Sequence, residues 1–209
     1  MFVNRKAFAI LFVVCIMAMA LLLGGCSSSS HNQIGPMELT EDQQEILDLI
    51  TPGHLGQILL FDFEISDSFE TLEVWLDVYN YGTLIEGGAG TTMLNGENLP
   101  SEGRLAVMLN RYRGEDYQGF QWTFTISFDG GSSSARFESP NIETGGLGNV
   151  FGPMIEPVDI QDGEEIILYI SKFSGGAMRS FSDIQVYARE PELLEEYTYA
   201  HIIRARFSN

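Results

Sequence analysis

In the first half of the chain, two kinds of side chain alternate. Glu73, Trp75, Asp77 and Tyr79 occupy every second position, between Leu72, Val74, Leu76 and Val78. Alternate residues of a strand point to opposite faces, so the four polar and aromatic side chains share one side. Ring faces stack on sugar C–H groups, and carboxylates accept hydrogen bonds from sugar hydroxyls. The stripe is therefore a candidate carbohydrate-binding face. Trp75 and Tyr79 would stand about 13–14 Å apart, far enough to meet separate sugar units. The plainer alternative is the outer face of a sheet whose aromatics support cross-strand pairs, or a sheet buried on both sides.

Other chemistry is scarce. The two cysteines are Cys15, inside an apolar run, and Cys26. Nothing after Cys26 can form a disulfide, act as a thiol nucleophile or supply a thiolate to a metal. His31, His54 and His201 are far apart in sequence. No G-x-S-x-G, S-x-x-K or H-E-x-x-H is present. Asp62, Glu64, Asp67 and Glu70 could gather oxygens for calcium, but without the spacing of a known loop. The glycine-rich runs 87–90 and 145–152 lack the Lys-Ser/Thr ending and the surrounding strand and helix of a phosphate loop. They are read as connecting loops. No cofactor is implied.

Cys26 has a context of its own. Arg5 and Lys6 precede an uncharged apolar stretch from Ala7 to Leu23, and Leu23-Gly24-Gly25 leads directly to the cysteine. A basic start stays on the cytoplasmic side while the apolar stretch enters the bilayer. Small residues let a peptidase hold the chain extended at the cut. This arrangement resembles the lipobox of bacterial lipoproteins. The resemblance covers residues 1–26 and implies a signal peptide over 1–25 and a diacylglyceryl thioether on Cys26. Two or more acyl chains give stable anchoring, at about 0.8 kcal/mol per buried methylene. The expected location is the bacterial cell envelope outside the cytoplasm, with membrane lipid as partner through acylated Cys26. Residues 26–35, in which four serines follow Cys26, are expected to be a flexible tether.

Composition narrows the partners. Without Arg5 and Lys6, 9 basic residues face 29 acidic ones, a formal charge of −20. Such a chain repels nucleic acid. A carbohydrate or an envelope protein remains a candidate partner.

Residues 36–209 suffice for one core and are read as a single domain. Thr40 and Gln43 form a capping box for a short helix in which Ile46, Leu47 and Ile50 share a face. Period-two patterns follow at 57–65, 69–80, 104–110, 120–128, 165–171, 183–189 and 197–207. In the last of these, Tyr197, His201 and Ile203 face inward, while Arg204 and Arg206 face outward. Tyr81-Gly82 and Asp129-Gly130-Gly131 are turn signals, the second leading to a return strand at 135–138. The pattern predicts an all-β, antiparallel, jelly-roll-like β-sandwich of about eight strands with one short N-terminal helix. An elaborated immunoglobulin-like sandwich is the alternative. The expected function is a non-enzymatic binding module of the envelope. The alternative is an envelope-facing hydrolase using paired carboxylates in the manner of a glycosidase.

Overall fold

A computed structural model describes residues 32–209 except 52–55, 67, 97–98, 114–117, 140–145 and 179, and omits the side chains of 56, 89–90, 112–113 and 118. The expected signal peptide, Cys26 and residues 26–31 of the expected tether lie outside the described residues. Among the described residues no helix is long and apolar enough to cross a membrane.

The expected antiparallel all-β sandwich forms, with eleven strands and an early helix among the described residues. In chain order the elements are β1 (Gln33–Pro36), α1 (Glu41–Ile50), β2 (Gly56–Glu64), β3 (Thr71–Asn80), β4 (Thr83–Asn95), β5 (Glu102–Arg113), β6 (Gln118–Phe128), β7 (Gly131–Glu138), β8 (Gly148–Pro153), β9 (Val158–Asp159), β10 (Glu165–Ser174), α2 (Val186–Arg189), a 3-10 turn (Pro191–Glu196) and β11 (Tyr199–Ser208). One sheet runs β7-β6-β5-β2-β1-β9 and the other β4-β3-β11-β10-β8.

The period-two pattern explains the interior. Phe61, Phe63, Leu105, Val107, Trp122 and Phe124 come from the first sheet, and Leu72, Val74, Leu76, Ile203 and Phe207 from the second; all are buried. Their rings meet across the gap: Phe63 lies 5.5 Å from Phe207, and Trp122 lies 5.7 Å from Tyr169. Each such side chain, fully buried, contributes roughly 1.5–3 kcal/mol of transfer free energy. Turn chemistry sets the hairpins. Tyr81 and Gly82 both have positive φ, 45° and 73°, as a two-residue turn between Asn80 and Thr83 requires.

Three local expectations are corrected. The far end of the expected tether is part of the domain: Gln33–Pro36 pair with both β2 and β9, and Ile34 is fully buried. Paired backbone groups and one well-placed isoleucine outweigh the polar composition around them. The strand expected over 183–189 contains instead the short helix α2, because the chain between β10 and β11 lies across the outer face of the second sheet as a cover. The run 87–90 belongs to β4, which bulges against β3 between Val74 and Tyr79, and residues 148–152 belong to β8. The helix α1 has its capping box, but Ile46 and Ile50 are exposed and Leu47 is only partly covered.

The cover makes the second sheet buried on both faces. Ile170, Lys172, Ala200 and Ile202 point away from the sandwich interior, yet Ile184, Tyr187, Leu194 and Tyr197 join them in one core. Tyr197, expected inward, belongs to this outer layer.

Candidate functional site

The stripe lies on the outer face of β3, as its spacing required, but it is not an exposed platform. Trp75 is 8% exposed and Asp77 7%. The reason lies on the neighbouring strand: Trp75 pairs with Arg204, and Glu73 with Arg206. The Arg204 Nε donates to the Asp77 carboxylate at 2.9 Å, and an Arg204 Nη donates to the Tyr79 phenol at 3.2 Å. The same guanidinium lies 3.1 Å from Glu165. Arg206 donates to the Glu73 carboxylate and places its guanidinium 5.3 Å from the Trp75 ring centre. A β4 bulge turns the Gly88 N–H onto Asp77 at 3.0 Å. Arg204, expected to face solvent, is 3% exposed. The carboxylates that would accept sugar hydroxyls are engaged by arginines, so Glu73, Trp75, Asp77 and Tyr79 hold the sheet and its bulge together.

Two buried nitrogen-bearing groups are structural as well. Lys172 is 1% exposed; its Nζ donates to the Tyr187 and Tyr197 phenols at 2.7 and 2.8 Å and sits 4.2 Å from the Phe181 ring centre. Burial, with the facing Tyr197 phenol, holds the Tyr187 phenol above its ordinary value. This cluster fastens the cover to the sheet. His201 lies in the interior with Phe120, Trp122 and Phe173 at 4.9, 5.9 and 5.8 Å. Neither of its nitrogens has a partner among the described residues. Burial pushes its imidazole down to about 3, with Arg111 acting in the same direction. It is a neutral core residue.

Open surface with concave shape occurs elsewhere. A polar cleft of about 550 Å³ carries Asp62, Glu64, Glu102 and Asp129, with Arg104 3.5 Å from Asp62. Asp67 of the proposed calcium set lies outside the described residues, and among the others no group of three potential ligands comes together. A second, more apolar cleft of about 400 Å³ runs between β8, the loop to β9 and residues 180–185 of the cover. Its lining includes Val150, Phe151, Met154, Ile155, Phe181 and Ile184. Phe151 is 45% exposed and Ile155 73%. Arg111 of β5 lies 5.3 Å above the Phe151 ring, and the Tyr169 ring stacks beside it. Gly152 carries no side chain because a Cβ there would stand 2.7 Å from Phe181.

β8 is the outermost strand of its sheet, paired among the described residues only with β10. Its backbone direction follows from one bond. The Met154 N–H donates to the Leu168 carbonyl at 2.8 Å in the β8–β10 register. Antiparallel pairs alternate between bonded and non-bonded, so Gly152 and Val150 also bond inward, while Asn149, Phe151 and Pro153 face the free edge. Pro153, with no N–H to give, stands at an edge-facing position, where it costs the ladder nothing.

The YgaN domain family model matches residues 33–207, from the first residue of β1 to the last but one residue of β11. The chain belongs to the YgaN domain family. No curated protein and no solved structure matches. The YgaN domain thus takes in both sheets, the cover and the β8 cleft. Sequence reading placed β8 of this YgaN domain in a loop because glycines surround Asn149-Val150-Phe151. The usable signal was Pro153, since a proline closing a short apolar run marks an edge strand.

Proposed function

We propose that the protein is a lipid-anchored module of the bacterial cell envelope, which binds a partner through the cleft beside β8. The observation that carries the binding half is the coincidence of an apolar cleft, two exposed large side chains and a strand edge unpaired among the described residues in one place. Soluble proteins seldom leave such an edge uncovered without charges to guard it, and β8 bears none. The anchoring half rests on the order of residues 1–26: basic start, apolar stretch, small residues, then Cys26.

Each half has its own test. The wild type should fractionate with membranes and carry the mass of acyl chains, and Cys26→Ser should lose both; a mature wild-type chain without acyl mass would refute anchoring. For binding, a photocrosslinking residue at position 155 should give one discrete adduct in cells, and Phe151→Asp should abolish it. Equal adducts from position 155 and from the exposed, distant position 81 would count against the cleft.

A further inference from the structure

We infer that the occupant of the β8 cleft is an extended peptide, apolar on one face and basic on the other, which adds to the second sheet as a further antiparallel or parallel strand beside β8. The inference rests on the reading of the cleft as a binding site and specifies what fills it.

Backbone chemistry makes the first argument. The N–H groups of Asn149 and Phe151 and the carbonyls of Asn149, Phe151 and Pro153 face away from β10, as the Met154–Leu168 bond fixes. An extended chain laid alongside satisfies these groups in the way a sheet's own strand does. A globular side-chain cluster or a sugar would leave their periodic spacing unused.

Side chains make the second argument. Val150 and Gly152 share the face against which Phe181 packs, so the cleft offers an apolar floor on the cover's side of the edge. An added strand sends alternate residues to each side, so its apolar residues have somewhere to go. Charge makes the third. At the cleft Glu156 and Asp183 are balanced by Arg111 over Phe151 and by Arg189 on Asp183, so the field there is set by the rest of the chain, which carries −20 overall after residue 25. That field draws a basic peptide and repels an acidic one. It also disfavours a second copy of this chain as the occupant.

The test uses the full lipidated chain in detergent micelles and labelled six-residue peptides, the length of β8. One peptide alternates valine with lysine, a second alternates valine with glutamate, and a third is the valine–lysine peptide N-methylated at alternate amides. Fluorescence polarisation reads the affinities. The valine–lysine peptide should bind, and the glutamate and N-methylated versions should bind about tenfold more weakly or worse, as expected for lost charge attraction and lost backbone bonds. Asn149→Pro, which removes an edge-facing donor, should weaken binding by a similar factor, whereas Asn149→Ala should not. Unchanged binding of the N-methylated peptide overturns strand addition. If Phe151→Asp still abolishes the cellular adduct in that case, the cleft stands as a binding site and only its occupant changes. Absence of binding by every peptide overturns the inference outright.

Discussion

His201 occupies its place by being neutral. Three aromatic rings surround it, and neither of its nitrogens has a hydrogen-bond partner among the described residues. Its folded value near 3 lies below the unfolded value of 6.5, so between these the unfolded chain binds a proton that the folded chain does not. The stability held by the neutral imidazole is therefore complete above pH 6.5 and falls as pH drops, by about 1.4 kcal/mol per pH unit until pH 3. Urea unfolding of wild type and His201→Phe across this window should give curves that diverge, the variant gaining relative stability with acid. Parallel curves would show that His201 does not titrate on unfolding. Trp75 gives a second residue-scale outcome. It is nearly buried beneath Arg206, so Trp75→Ala should cost about 3–5 kcal/mol, as large-to-small changes do in a packed layer. A loss below about 1 kcal/mol would return Trp75 to the exposed class.

At the scale of elements, the hairpin turns and the cover decide most of the shape. Gly82 has φ of 73°, and a Cβ there would stand 2.7 Å from Glu195 of the cover. Gly82→Ala should therefore destabilise by about 1–2 kcal/mol, from backbone strain and the displaced contact. Thermal unfolding checks this, and an unchanged midpoint would contradict the turn. The strands were legible where one face is buried and the other is not: the alternation at Phe120, Trp122, Phe124 and Ile126 could hardly mean anything else. The outer layer was not legible for the same reason. A sheet buried on both sides makes Trp75 and Arg204 look like surface residues, because period two reports only that two faces differ. Nor does local sequence announce that Val186–Arg189 turn as a helix; that follows from the outer face they must cover. The stripe was found, and its arginine pairs fit the plainer of its two readings; the cleft was missed because glycines hid β8.

For the whole molecule, residues 32–209 form one compact unit, and the YgaN domain spans nearly all of it. Cooperative unfolding in one step, unaffected by reducing agents, is the expected behaviour of a unit with no cysteine of its own. On the proposed function, this unit keeps one sheet edge open for a partner strand. Backbone hydrogen exchange resolved to single amides tests it most directly. In the free protein, Asn149 and Phe151 should exchange fast while Val150, Gly152 and Met154 are protected, an alternation set by the β8–β10 ladder. On saturation with the valine–lysine peptide, Asn149 and Phe151 should become protected as well. Continued fast exchange at both amides in a saturated complex would contradict the claim.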